Sequence, residues 1–527
     1  MTVDHAARDG FSALFSSDGK DHHREPLATR LLHSFLNVCN EGRIHGEMDG
    51  RPAASLFLKS DIGDAPISFE NYIEYLACEV VPYSINLSSP RCLGHMTGVV
   101  PDFVRPLADL VTRLNQNMVK REASGIFSAL ERQTIAMMHR TVFGHPESFY
   151  NEHIQNPSST LGVMTSGGTL ANLTGLWIAR NTSFAPSGSF TGIENEGLPA
   201  ALRHYGWRDA VIVGSNLVHY SVDKAAGILG LGVRNLIKVP VDRSNGIDLD
   251  ALRRCVRNCT EEGRKIIAIV GIAGTTDCGS VDPLDGIASI AREAGVHFHV
   301  DGAWCLPLLF SSRHCSKLAG VEKADTVTFD GHKQLCLPSG SGMLLIRDPH
   351  AARVIEKQTR YILQEFSGDL GKHSIEGSRP ATALFLHAAL RLIGRNGYGA
   401  LIDESIFRAQ FMADLIRNRP DFQLLTEPET NIVLYRYIPE RFRSACTRDL
   451  TTAENQSIST CNERIQQAQF RSGRSFVSRT QWDCASEQGP VTVVALRAVI
   501  ANPFTSQDDI RFVLEDQARI AQELAAV

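Results

Sequence analysis

The chain has 527 residues, more than one hydrophobic core usually organises, so two or three subdomains are expected. Its 43% hydrophobic and 21% charged residues are those of an ordinary globular protein, and a net charge of -5 without any basic arm excludes a nucleic-acid-binding footprint. No apolar segment approaches membrane-spanning length, and "MTVDHAARDG" lacks the charged-then-apolar order of a secretory signal, so no membrane partner and a cytoplasmic location are expected.

The first 80 residues are weakly patterned, and "HREPLATRLLHSFLNVCNEG" is their best helix. A Pro/Asn/Ser-rich stretch ending at Gly98 reads as an extended loop. Helical spacing then runs from "VPDFVRPLADLVTRLNQNMV" through "LERQTIAMMHRTVFG" and stops at Gly144. The centre alternates. "LGVMTSGGTLANLTGLWIAR" is strand, glycine turn and helix; "DAVIVGSN" is a strand with the helical "YSVDKAAGILG" behind it. "IIAIVGIAGTT" is a near-continuous apolar strand followed by the helix "DPLDGIASIAREAG", and "VHFHVDGAW", "TVTFDGHK" and "GSGMLLIRD" are further strands. Apolar strands interleaved with amphipathic helices predict an α/β architecture with a mainly parallel central sheet covered on both faces. Beyond "GSRPATALFLHAALRLIGRNG" shorter strands such as "TNIVLYRY", "RSFVSRT" and "VTVVALRAVI" predict a smaller C-terminal α+β domain, with the polar piece 440–465 as a surface insertion or loop. The expected division is 1–95, 96–393 and 394–527.

The chain has 12 cysteines, which are scattered without a Cys-x-x-Cys pair; Cys255 and Cys259 stand one helical turn apart, but no second ligand pair follows. They read as small buried hydrophobes, and no metal is expected.

Several unusual residues fall where strands end, which in open α/β sheets is where ligands bind. "TSGGTLAN" offers backbone N–H groups and a helix N-terminus to an anion. Asp301 ends one strand, with the small Ala303 just beyond it. His219 follows another, and Lys333 follows the turn "DGH". Singly these are a packing turn, a helix cap, a loop histidine and a solvated lysine. Together they suit a phosphate, an aromatic cation and an aldehyde, which are the three handles of pyridoxal phosphate. A carboxylate at Asp301 would keep the ring nitrogen protonated. Ala303 would leave one ring face clear, and the His219 imidazole could stack on the other.

The order TSGGTLANL…His219…GTT…VDGAW…DGHK, with "LRAVIANPFTSQDDI" near the C-terminus, resembles the group II pyridoxal-phosphate amino-acid decarboxylases, from about residue 80 to the end. That family includes the glutamate, cysteine-sulfinate and aromatic-amino-acid enzymes. The resemblance implies the aspartate-aminotransferase-like fold (fold type I) and a homodimer with its site at the subunit interface. The N-terminal segment would pack on the partner subunit. It implies that Lys333 is the Schiff-base lysine, that Asp301 pairs the pyridinium, and that Ala303 and His219 sandwich the ring. Thr276 would lie near the ring hydroxyl, the backbone of Thr169, Leu170 and Ala171 would cradle the phosphate, and His332 would lie beside it.

Family members often protonate Cα with a loop tyrosine. The corresponding stretch 361–380 has no tyrosine between Tyr361 and Tyr398, so His373 is the nearest candidate acid by position. This leaves room for an oxidative aldehyde-forming variant. By the same resemblance His95 occupies a substrate-contacting position, and Arg497 matches an arginine that meets a substrate carboxylate in glutamate decarboxylase. "LNQNMVK", "DLGKHSIEGSRPA" and "SFVSRT" resemble the bacterial aspartate 1-decarboxylase branch, which implies α-decarboxylation of aspartate to β-alanine, with glutamate possible. The alternatives are another amino-acid substrate (2,4-diaminobutyrate, cysteine sulfinate or an aromatic), an aldehyde synthase, and a cofactor-binding protein without catalysis.

Overall fold

The protein is described from a computed structural model, over residues 25–40, 43–46, 57–358, 367–443, 450–484 and 490–526. Two sheets carry it. The first contains β1 (Gly162–Thr165), β2 (Asp209–Ser215), β3 (Leu236–Val239), β4 (Arg264–Ile272), β5 (His297–Asp301), β6 (Thr326–Asp330) and β7 (Gly342–Ile346), in the order β1-β7-β6-β5-β4-β2-β3. Pairings from β6 through β3 are parallel, whereas β7 runs antiparallel to both of its neighbours. The sheet is therefore mainly parallel with one reversed strand, and its strands are nearly all buried because helices lie on both faces. Along β2 the side chains alternate. Val211 and Val213 join a core with Ile135, Met138 and Val300, while Ala210 and Ile212 join another with Leu173, Leu176 and Val222.

The second sheet contains β8 (Phe422–Leu424), β9 (Ile432–Tyr437), β10 (Ser478–Cys484) and β11 (Val491–Val499) in the all-antiparallel order β10-β11-β9-β8. The helix Gly394–Arg417 bridges the two sheets: the Tyr398 hydroxyl donates to Leu335 O at 3.2 Å, and Met412 and Ile416 enter the core behind β9. Trp304, just past β5, donates its indole N–H to Asn431 Oδ1 at 3.1 Å.

Three expectations are corrected. The polar piece 440–465 is no simple loop: Thr452–Ser472 is a helix opened by a capping box between Thr451 and Glu454. The continuous helical run toward Gly144 is broken into Val104–Leu114, Arg121–Ser124 and Phe127–Phe143. Asn115, with φ of 42°, ends the first piece. The extended stretch before Gly98 begins only after helical turns that continue through Tyr83. The N-terminal helix forms over Glu25–Asn40. Among the described residues no helix is long and apolar enough to cross a membrane, and no cluster of three or more His, Cys, Asp or Glu could hold a metal ion.

Candidate active site

The carboxyl ends of β1, β2, β4, β5 and β6 open into a cavity of about 500 Å3, whose wall also includes Arg497 of β11 and the loop that carries His95. The floor is the turn after β1. Gly167 caps the helix Gly168–Ser183, and a Cβ at Gly168 would stand 2.8 Å from Asp330 Oδ2 and 3.1 Å from Ala303 Cβ. Only glycine lets that turn sit against the ends of β5 and β6. The N–H groups of Leu170 and Ala171 already reach back to Gly167 O at 3.1 and 3.2 Å. The groups facing forward at the helix start are therefore those of Gly168 and Thr169, not the three expected at Thr169, Leu170 and Ala171. Thr169 and Leu170 line the cavity, whereas the Ala171 side chain is buried beside Val163 and Ile178.

Lys333 is mostly buried, with 19% of its side chain exposed, and its Nζ lies 3.3 Å from Asp330 Oδ2. Asp330 was expected only as a turn residue; β6 instead runs through it and turns its carboxylate inward, where Oδ1 has no hydrogen-bond partner. His332 Nδ1, 3.5 Å from that oxygen, is likewise buried and unpartnered, and burial pushes the ring's pKa down. Asp301 at the end of β5 is buried; Oδ1 accepts from Ala303 N–H at 3.1 Å and Oδ2 from Asn172 Nδ2 at 2.8 Å. His219 caps the helix Tyr220–Ile228, its Nδ1 accepting from Ser221 N–H at 3.3 Å, and burial lowers its pKa. Ala303 and Thr276 also face the cavity.

The second sheet supplies Arg497. Its Nε donates to Thr276 O at 2.7 Å and one terminal nitrogen to Ser478 Oγ at 3.2 Å, while the other is buried without a partner. Burial pushes its pKa down to about 10, so it stays a cation at neutral pH. His95 is half-exposed. Its Nδ1 takes hydrogen bonds from Thr97 N–H at 3.2 Å and Thr97 Oγ1 at 2.6 Å, which leaves the proton of the neutral ring on Nε2. Burial, with the positive Arg497 and Lys333 and the His332 ring nearby, holds its pKa down. The upper cavity is thus cationic and suits carboxylates.

His373 is not among these residues. It lines a separate cavity of about 30 Å3 with Arg132, Thr160 and Asp369, its Nδ1 lying 3.2 Å from Thr160 Oγ1. Burial pushes its pKa down to about 4, so it carries no spare proton near neutrality, and the role expected from its position is withdrawn. Tyr361, which bounds the stretch searched for an acid, lies outside the described residues. Sequence reasoning passed over Asn172, Ser221 and Asp330, and also Glu376, whose Oε2 accepts Ser166 N–H at 2.9 Å beside the glycine turn. Asn172 stood in the quoted "TSGGTLAN" four residues past Gly168, on the same helix face, and Asp330 in "DGHK"; both were legible as residues but not as contacts.

The family model described as "Pyridoxal-dependent decarboxylase conserved domain" matches residues 60–438. An aspartate 1-decarboxylase from Aliivibrio fischeri is 41% identical over 468 residues, covering 88% of this chain and 85% of that protein. An L-2,4-diaminobutyrate decarboxylase from Acinetobacter baumannii is 28% identical, covering 68% of this chain and 69% of the other. Among solved structures, mouse CSAD superposes with a TM-score of 0.81 at 22% identity, covering 95% of this chain and 99% of that one.

Proposed function

The chain belongs to the pyridoxal-dependent decarboxylase family and is an amino-acid carboxy-lyase that uses pyridoxal phosphate; on that basis we propose that its substrate is a small acidic amino acid, aspartate before glutamate. The observation that carries this reading is the Arg497 guanidinium, buried in the cavity wall with one terminal nitrogen unpaired. A buried cation with a free donor edge favours a carboxylate and disfavours a second ammonium, so it argues against a diamino acid. The 41% identity to an aspartate 1-decarboxylase supports the same choice.

The residues present fit the cofactor. The glycine turn leaves space and forward-facing N–H groups for a phosphate, and His332 Nδ1 lies beside it without a partner. We assign Lys333 Nζ as the amine that would hold the aldehyde carbon, with Asp330 at 3.3 Å to accept or return its proton. The buried Asp301 carboxylate would hold a proton on the ring nitrogen, His219 would cover one ring face, and Ala303 would leave the other open. Thr276 would lie at the ring hydroxyl. When bound, pyridoxal phosphate supplies a carbonyl for the substrate amine and a cationic ring able to take up the electron pair released with carbon dioxide. Arg497 and His95 would orient the substrate so that its α-carboxyl group points out of the ring plane, away from water. A homodimer in the cytoplasm is part of the same proposal; the exposed Leu58, Ile62 and Ile126 offer apolar surface to a second copy.

The test is a substrate panel on the cofactor-loaded enzyme. Carbon dioxide and β-alanine in equal amounts from aspartate are expected. Absence of carbon dioxide from aspartate, glutamate and cysteine sulfinate would overturn the acidic-substrate reading. Oxygen uptake with peroxide release would point instead to the aldehyde-forming reaction.

A further inference from the structure

Behind Asp301 the cavity wall is a continuous chain of hydrogen bonds. The period of two along β5 puts His297, His299 and Asp301 on one face, with His299 fully buried. The amide of Asn172 donates to Asp301 Oδ2 at 2.8 Å and to Ser221 Oγ at 2.9 Å. Asn172 Oδ1 lies 3.0 Å from His299 Nε2, and His299 Nδ1 lies 2.9 Å from Thr326 Oγ1, which meets His297 Nε2 at 2.8 Å. A Cβ at Gly175 would stand 2.8 Å from His299 Nδ1, so that glycine admits the ring to the helix Gly168–Ser183.

Donor and acceptor identities give the chain one direction. An ionised Asp301 can only accept, so the NH2 side of Asn172 must face it and the carbonyl must face His299. His299 therefore carries its proton on Nε2. Burial pushes its pKa down to about 3, so the ring is neutral and Nδ1 accepts the Thr326 hydroxyl proton. Thr326 Oγ1 in turn accepts from His297 Nε2–H. At the other end His219 Nδ1 already accepts Ser221 N–H, so the Ser221 hydroxyl, 2.9 Å away, also donates to it. His219 is left with its N–H on Nε2.

We propose that His299 is a positioning residue for Asp301: by donating to Asn172 Oδ1 it fixes the plane of the amide whose N–H groups serve the Asp301 carboxylate and Ser221. This rests on the reading that Asp301 faces the cofactor ring. Without His299, Asn172 Oδ1 loses its buried donor, and the amide loses the contact that fixes its plane against the carboxylate.

Affinity of the apoenzyme for pyridoxal phosphate and the pH midpoint of the visible band of the holoenzyme are measured in wild type, His299→Leu, His299→Gln and Asp301→Asn. In His299→Leu the Kd rises about tenfold, the size expected for one lost buried hydrogen bond, and the band midpoint moves. In His299→Gln, whose amide N–H reaches the place of Nε2, both return to within about threefold of wild type. A purely structural role would lower thermal stability without moving the midpoint. An unchanged Kd and midpoint in His299→Leu, with both altered in Asp301→Asn, overturns the inference and leaves the site reading standing. No change in Asp301→Asn overturns the site reading and the inference with it. Nitrogen NMR of histidine-labelled wild type needs no variant: His299 neutral with its proton on Nε2 from pH 6 to 8 is expected, and a proton on Nδ1 overturns the inference.

Discussion

Under the proposed function, Arg497 is the single residue that bears most on substrate choice. It sits on the inner strand β11, buried, with Nε and one terminal nitrogen already engaged, so its remaining N–H edge is left to meet a ligand. A charge-assisted hydrogen bond in such a place is worth about 1.5–3 kcal/mol. Arg497→Met is therefore expected to lower kcat/KM for aspartate roughly 100-fold, mostly through KM; an unchanged KM would remove Arg497 from the substrate site. Lys333→Ala is expected to lose both the visible cofactor band and carbon dioxide release, and a retained band would refute its assignment. His373→Asn should leave kcat within about threefold, because the ring is neutral, hydrogen-bonded to Thr160 and outside the cavity. The contrast shows what a residue's sequence context can convey. Asp301 ends a strand, Lys333 and His219 follow one, and strand ends converge by topology. Among the described residues no strand leads directly into His373, and where its ring lies depends on contacts of the segment around it that carry no periodic signal.

At the scale of elements, most strands were legible because apolar runs flanked by glycine and polar turns have few other readings, whereas the short edge strands β3 and β8 were not read. The helix Thr452–Ser472 was missed although Thr451 and Glu454 spell a capping box. The reason lies in its buried face, which is mostly polar: Asn455, Asn462 and Gln469 stand seven residues apart and are all buried, with Ile458 and Ile465 the apolar residues buried among them. Asn462 alone donates to Tyr437 O at 2.9 Å and accepts Tyr437 N–H at 2.8 Å, sealing the end of β9. A hydrophobic-periodicity reading cannot see such a stripe. The cap itself gives a prediction: Thr451→Ala should lower unfolding free energy by about 1 kcal/mol, read from denaturant midpoints, and a neutral substitution would mean that the helix end does not depend on it. The turn before the helix Gly168–Ser183 gives another. Gly168→Ala pushes a methyl into Asp330 Oδ2 and Ala303, should cost about 1–3 kcal/mol of stability, and should weaken cofactor binding with it. Wild-type binding and stability in that variant would show that the turn has room to give.

Across the whole molecule, burial of histidine dominates the response to acid. Every histidine with a resolved shift moves down: His139 and His299 to about 3 and His373 to about 4, with His219, His297 and His332 shifted the same way. In the unfolded chain each takes up a proton near pH 6.5, whereas the folded protein does so at lower pH, far lower for His139, His299 and His373. A folded pKa below the unfolded one means that stability is fully present above pH 6.5 and is lost as pH falls toward the folded value. Asp282 acts in the opposite sense. It is buried and raised to about 7, so it keeps a proton that the unfolded chain releases near pH 4, and its contribution fades as pH rises through 7. Three strongly shifted histidines against one aspartate leave about two protons more bound by the unfolded state between pH 4.5 and 6, a slope of roughly 2–3 kcal/mol per pH unit. Below that range Glu194 adds to the loss; hydrogen bonds from Lys357, Trp177 and Asn181 overcome its burial and hold it at about 2, so its stabilisation disappears as pH falls from about 4. Denaturant midpoints of the apoenzyme should therefore rise steadily from pH 4.5 to 6.5 and then flatten. A level profile across that range would mean that these imidazoles reach solvent, and with it that the neutral, directional chain from His297 to His219 does not hold.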